Sequence, residues 1–113
     1  MRTASQELPL QITPSALAAL HRSGQPLQLL DVREAWETEI CAIDGSLNIP
    51  MGQVPGRIAE LARDRPLVVL CHHGGRSMQV TQWLRAQGFD QAVNLTGGIN
   101  IWAQQIEPGM ATY

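Results

Sequence analysis

No apolar stretch in this chain approaches the roughly 20 residues that span a bilayer, which argues against a membrane-spanning helix. The hydrophobic fraction of 44% is ordinary for a globular protein, so a soluble chain is expected. The opening MRTASQELPL has one Arg but no apolar core of about 7–15 residues behind it, so it does not read as a secretory signal and the cytoplasm is the expected compartment. Basic runs are also lacking: eight Lys plus Arg stand against ten Asp plus Glu, for a formal charge of -2. Nothing here could track a phosphate backbone, so nucleic acid is not an expected partner. The only two cysteines, Cys41 and Cys71, have neither the number nor the spacing of a disulfide framework, and a reducing compartment would keep both as thiols. Internal repeats and low-complexity tracts are absent, and 113 residues suffice for one core but not for two.

What is present alternates short apolar runs with helical patterns. Residues 1–9 show no periodicity and are expected to form a loosely ordered arm, with the folded domain occupying 10–113. Residues 10–12 predict a short strand. Thr13 before Pro14 reads as a helix cap with proline at the first helical position, and the helix should run over 14–22 and stop at Gly24. The run 27–32 predicts a buried strand ending beside Asp31 and Arg33, followed by a brief helix over 34–40 and a strand over 46–49. Ile58 and Leu61 at helical spacing predict a helix over 54–62. The clearest buried strand is 67–70, followed at once by Cys71; a helix over 76–87 has Val80, Trp83 and Leu84 on its inward face and Gly88 as its stop. A last strand over 92–95 and a helix over 98–104 complete the pattern. Alternation of this kind implies right-handed crossovers and a parallel sheet with helices on both faces. Ligands in such sheets bind beyond the carboxyl ends of the strands, where Cys71 sits.

The segment Cys71 to Ser77 reads CHHGGRS and joins that strand to a helix. A thiolate at the mouth of a helix faces backbone N–H groups that have no helical partner, and the macrodipole adds positive potential. Gly74 and Gly75 permit backbone conformations closed to other residues, so successive N–H groups can turn inward as an anion nest. Arg76 can add a fixed charge at the rim. Together these features should lower the thiol pKa and make Cys71 a nucleophile, and the same donors would stabilise the terminal sulfur of a persulfide in a two-step, ping-pong transfer.

This loop resembles the active-site loop of the rhodanese family, with a Cys, a Gly three residues on, and then Arg and Ser. DVRE from Asp31 to Glu34, GSLNIP from Gly45 to Pro50 and LTGGINIW from Leu95 to Trp102 resemble other signatures of that family, in the same order and across nearly the whole chain. The resemblance implies a three-layer α/β/α domain around a central, mostly parallel sheet of about five short strands. It also implies sulfur transfer from thiosulfate or another persulfide donor to a thiol or cyanide, through a Cys71 persulfide. By that reading Arg76 binds the anionic donor and the amides of His72, His73, Gly74, Gly75, Arg76 and Ser77 form the cradle. Where the family often has Gly-His-Ile, this chain has Cys41, Ala42 and Ile43. The ending WAQQIEPGMATY resembles rhodanese domains fused to ubiquitin-like activating enzymes, which makes a sulfur-carrier protein a candidate acceptor. No cofactor is implied, and a monomer is expected.

Plainer readings stand beside these. Three consecutive ligand types, Cys71, His72 and His73, rarely point at one ion and match no zinc spacing, so no metal is expected. The two histidines should line the mouth as loop residues. Cys41 reads as a packed or surface thiol, and Trp36, Trp83 and Trp102 as core. Gly97 and Gly98 mark a close backbone approach. Asp31 and Arg33 either orient the site through hydrogen bonds or form an ion pair that fixes the loop after its strand. Two rival functions share the fold. One is a Cys-dependent phosphatase, although such enzymes have a loop one residue longer than the four residues between Cys71 and Arg76. The other is a non-catalytic binding or regulatory module.

Overall fold

The computed structural model describes residues 9–113. Strands β1 (Gln11–Ile12), β2 (Gln28–Asp31), β3 (Ser46–Asn48), β4 (Leu67–Leu70) and β5 (Ala92–Leu95) alternate with helices α1 (Pro14–Arg22), α2 (Ala35–Ile40), α3 (Gly75–Ala86) and α4 (Gly98–Gln105). All neighbouring strands are parallel, in the order β1-β5-β4-β2-β3. This is the α/β architecture expected from the alternating pattern.

Strand pleating divides the interior in two. Leu67, Val69 and Cys71 fall in one core with Leu30, Val32, Ala92 and the α3 residues Val80 and Leu84. Val68 and Leu70 fall in the other, with Leu29, Val93, Leu95 and the helical residues Leu17, Ile99 and Trp102. Both faces of β4 are therefore covered, and all four of its residues are buried. That explains its uninterrupted apolar run, because a strand with helices on both sides has no solvent face to alternate with.

Thr13 caps α1 as expected, its hydroxyl accepting from the Ala16 amide at 3.2 Å. Most element ends fall within one residue of the positions read from the sequence, but one element differs in kind. Residues 54–62 do not form an α-helix. A 3₁₀ segment, Pro55–Glu60, occupies this stretch, broken at Arg57 (φ -122°, ψ 17°), and another, Met51–Gln53, precedes it. Pro55 has no N–H to carry a helix on from Met51, so the turns close three residues apart, as from Val54 N to Met51 O and from Leu61 N to Ile58 O. The tryptophans also divide. Trp102 is buried and Trp83 half-buried, but Trp36 is 59% exposed, because the buried position of the six-residue α2 is its neighbour Glu37. Of the arm expected over 1–9, only Pro9 lies within the described residues; its carbonyl accepts from Arg85 Nη2 at 2.8 Å. No helix among the described residues is long and apolar enough to cross a membrane.

From the central pair, β2 leads by way of α2 to β3 on one side, and β4 leads by way of α3 to β5 on the other. The chain departs in opposite directions from the carboxyl ends of β2 and β4, leaving a crevice between them. Cys71 lies on one lip and Arg33 with α2 on the other. The first turn of α4 closes the base: Ile99 N donates to Cys71 O at 2.9 Å and Asn100 N to His72 O at 3.0 Å. This approach leaves no room for a side chain at Gly98 (φ +60°), where a Cβ would lie 2.5 Å from both carbonyl oxygens. Gly98→Ala is expected to lower unfolding stability in urea by about 1–3 kcal/mol. Gly109→Ala, at an open position, should stay within about 0.5 kcal/mol of the parent.

Candidate active site

Cys71 is 1% exposed, yet its sulfur faces polar donors. Gly74 N lies 3.1 Å from Sγ, Ser77 N 3.4 Å and Ser77 Oγ 3.3 Å. The first of these depends on Gly74, whose φ of +109° turns its amide back toward the sulfur at the entrance to α3. Gly75 needs no such freedom: its φ is not positive and a Cβ there would meet nothing within 4 Å, so the special backbone expected at both glycines is confined to Gly74. The cradle is also narrower than the six amides expected, since those of Gly74 and Ser77 are the ones that reach Sγ. Burial pushes the Cys71 thiol up; the Ser77 hydroxyl and amide, the Gly74 amide and the Arg76 charge outweigh it and hold the thiol below its ordinary value.

Arg76 is not a free charge at the rim. Its Nη1 and Nη2 grip Glu37 Oε2 and Oε1 at 2.8 and 2.9 Å, and the Glu37 side chain is only 5% exposed. The same carboxylate accepts from Glu34 N at 2.8 Å, closing the capping box of α2, and from Tyr113 Oη at 2.8 Å. With four donors on it, the Arg76 guanidinium foremost, Glu37 is held at a pKa of about 2 although burial opposes this.

Asp31 and Arg33 form a buried ion pair, Arg33 Nη2 to Asp31 Oδ2 at 2.6 Å, with both side chains wholly inaccessible. Arg33 also donates to the carbonyls of Glu37 (3.3 Å) and Cys41 (2.8 Å) and to Tyr113 Oη (3.0 Å). Its role is to lock the β2–α2 turn and, through it, Glu37. Asn48 Nδ2 helps, donating to the carbonyls of Asp31 and Arg33 at 2.9 Å each. Cys41 is half-buried, with its sulfur 3.8 Å from Arg33 Nη1. His72 is sandwiched between His73 and Tyr113, with ring centroids 4.1 and 4.0 Å apart, while His73 is exposed. Burial first, and then His73, push His72 below its ordinary value, which favours a neutral ring.

Three residues of this constellation were not singled out from the sequence: Glu37, Tyr113 and Asn94, whose Oδ1 accepts from Ser77 Oγ and whose Nδ2 donates to Gly74 O. Glu37 had a readable signal, since Glu34 and Glu37 have capping-box spacing at the start of a short helix. Asn94 had a weaker one, as the polar member of an otherwise apolar buried strand. Tyr113 had none, because only the return of the C-terminal segment brings its ring onto His72. Among the described residues no three His, Cys, Asp or Glu side chains cluster as a metal ion would need.

The chain is similar to known proteins over most of its length. The model of the rhodanese-like domain matches residues 13–105. The rhodanese-like/PpiC domain-containing protein 12 of Arabidopsis thaliana is 41% identical over 90 residues, which are 76% of this chain and 30% of that protein. The adenylyltransferase and sulfurtransferase MOCS3-2 of Zea mays is 34% identical over 110 residues, 91% of this chain and 23% of that protein. The chain thus spans less than a third of these two relatives. It spans 94% of a sulfurtransferase of Allochromatium vinosum, 33% identical over 101 residues that make up 89% of this chain. Among solved structures, the human single-domain sulfurtransferase TSTD1 superposes with a TM-score of 0.77 at 27% identity, covering 87% of this chain and 98% of that one.

The Glu37 pair has a pH signature. A folded-state pKa near 2, below the ordinary 4.5, adds stability that is fully present above about pH 4.5 and fades as pH falls toward 2. Unfolding free energy measured across that window should fall by on the order of 2–3 kcal/mol from this group, and Glu37→Gln should flatten the dependence.

Proposed function

The chain belongs to the rhodanese-like domain family of sulfurtransferases, and on that premise we propose that it moves a sulfane sulfur from thiosulfate, or from another persulfide donor, to a thiophilic acceptor by way of a persulfide on Cys71. The observation that carries this reading is the sulfur of Cys71 set against the Gly74 amide and the Ser77 amide and hydroxyl at the corner between β4 and α3. The Cys71 thiolate attacks the outer sulfur of thiosulfate. The new S–S bond forms as the old one breaks, sulfite departs with its electron pair, and one negative charge remains on the outer sulfur of the persulfide. An acceptor thiolate or cyanide then takes that sulfur and regenerates the Cys71 thiolate, so sulfur is relayed with no outside oxidant or reductant.

A donor that offers one narrow atom suits this site, because Cys71 is almost wholly buried. The phosphatase reading fares worse for the same reason. The loop is one residue short, and Arg76, which would have to clasp phosphoryl oxygens, is engaged by Glu37. A sulfur-carrier protein is an acceptor class supported by the maize relative, whose name couples adenylyltransferase and sulfurtransferase activities. A reducing, cytoplasmic setting suits two free cysteines.

Arg76 also acts differently from a simple donor-binding charge. Its loss strands a buried carboxylate, so Arg76→Ala should weaken folding as well as donor use.

Treatment with thiosulfate is expected to raise the intact mass by one sulfur, a gain that Cys71→Ser abolishes and that cyanide discharges as thiocyanate. An unchanged mass would favour the binding-module reading, and turnover of an aryl phosphate without sulfur loading would favour the phosphatase.

A further inference from the structure

Asn94 is the polar member of β5 and is 2% exposed. The pleat sets its direction: it shares parity with Ala92, which belongs to the core under α3, whereas Val93 and Leu95 belong to the opposite core. It therefore points at α3, where Ser77 begins the buried stripe Ser77, Val80, Thr81 and Leu84. Ser77 Oγ lies 2.5 Å from Asn94 Oδ1 and 3.3 Å from Cys71 Sγ. The amide can be oriented in only one way. Asn94 Nδ2 is 3.3 Å from Gly74 O and 3.3 Å from Gln11 Oε1, and a backbone carbonyl can only accept, so the amino group faces Gly74 and the oxygen faces Ser77.

A serine hydroxyl has one proton, and here two buried acceptors stand within its reach. The geometry points to Asn94 as a positioning residue that competes with the Cys71 sulfur for the Ser77 proton, and so limits how much negative charge Sγ retains. With Cys71 as the thiol, Sγ–H donates to Ser77 Oγ and Ser77 donates to Asn94 Oδ1. On ionisation the thiol proton leaves for solvent, the Ser77 hydroxyl turns to Sγ, and Asn94 Oδ1 is left without that donor. An unpartnered buried acceptor is costly, so Asn94 opposes the thiolate.

The consequence for transfer rests on the persulfide reading above. Once the outer sulfur is bound and sulfite has left with its electron pair, the charge sits on the outer sulfur and Sγ is neutral. The Ser77 proton then returns to Asn94. Asn94 thus disfavours the bare thiolate relative to the loaded cysteine, which drives sulfur onto the protein.

Other ionisable groups surround the loop: Arg76 on α3 paired with Glu37 on α2, Arg33 paired with Asp31, His72 and His73 on the loop itself, and Tyr113 from the C-terminal segment. On the β1 side the neighbour is the neutral Gln11. Replacing Asn94 changes the charge of none of them.

The test is the rate of iodoacetamide alkylation against pH, read by mass spectrometry on the Cys71 peptide so that Cys41 does not contribute. Asn94→Ala is expected to lower the midpoint by about one pH unit. Asn94→Leu, which keeps the volume if the alanine variant unfolds, should do the same. In a Ser77→Ala background the Asn94 substitutions should have no effect, because no proton is left to compete for. A midpoint that stays or rises in the Asn94 variants overturns the proposal, as does the same drop in the Ser77→Ala background. Sulfur loading is measured in parallel, and the loaded fraction at limiting thiosulfate should fall several-fold in Asn94→Ala. If the parent protein takes up no sulfur, the transfer reading fails while the alkylation midpoint still decides the role of Asn94.

Discussion

A sulfur with 1% exposure can carry negative charge only where fixed dipoles replace the water it has lost. At Cys71 three donors do so, and each depends on a separate feature of the fold. The Gly74 amide depends on a left-handed backbone at the entrance to α3. The Ser77 amide belongs to the first turn of that helix, where N–H groups have no carbonyl below them. The Ser77 hydroxyl depends on burial against β5. The donors stay in place because α4 holds the carbonyls of Cys71 and His72 from beneath, through an approach that only glycine at position 98 permits.

The charges around this cradle cancel in pairs. Arg33 meets Asp31 in the interior, and Arg76 meets Glu37 at the edge of the crevice. Little net positive charge is left over the sulfur, so negative charge at Sγ is stabilised by short-range donors more than by a broad positive field. Buried ion pairs of this kind contribute less to stability than to geometry, because desolvation offsets much of their attraction. Here Arg33 links the β2–α2 turn, the Cys41 carbonyl and the Tyr113 phenol, and Glu37 links α2 to α3. The two sides of the crevice are thereby held in register.

This coupling also gives the C-terminal segment a place in the site. The Tyr113 ring lies on His72 and edge-on to Trp36 at 5.9 Å, and its hydroxyl bridges Arg33 and Glu37. The exposure of Trp36 follows from the same geometry, because α2 turns a carboxylate inward to serve the cradle and so presents its indole to solvent.

Local pattern alone carried the alternation of strands and helices, the two-sided burial of β4, the Thr13 cap and the placement of Cys71 at a strand-to-helix corner. These follow from side-chain periodicity and backbone freedom, which act over a few residues and are written directly in the chain. The 3₁₀ path through residues 51–60 was obscured because Ile58 and Leu61 suit a helix while Pro55 denies it the N–H it needs. Tertiary packing decided which amides reach Sγ, that Arg76 is spoken for by Glu37, and that Asn94 and Tyr113 join the site. The contacts of Arg76, Asn94 and Tyr113 link residues 17 to 76 positions apart, and only the closing of the sheet, with helices laid on both faces, brings their side chains within hydrogen-bonding distance.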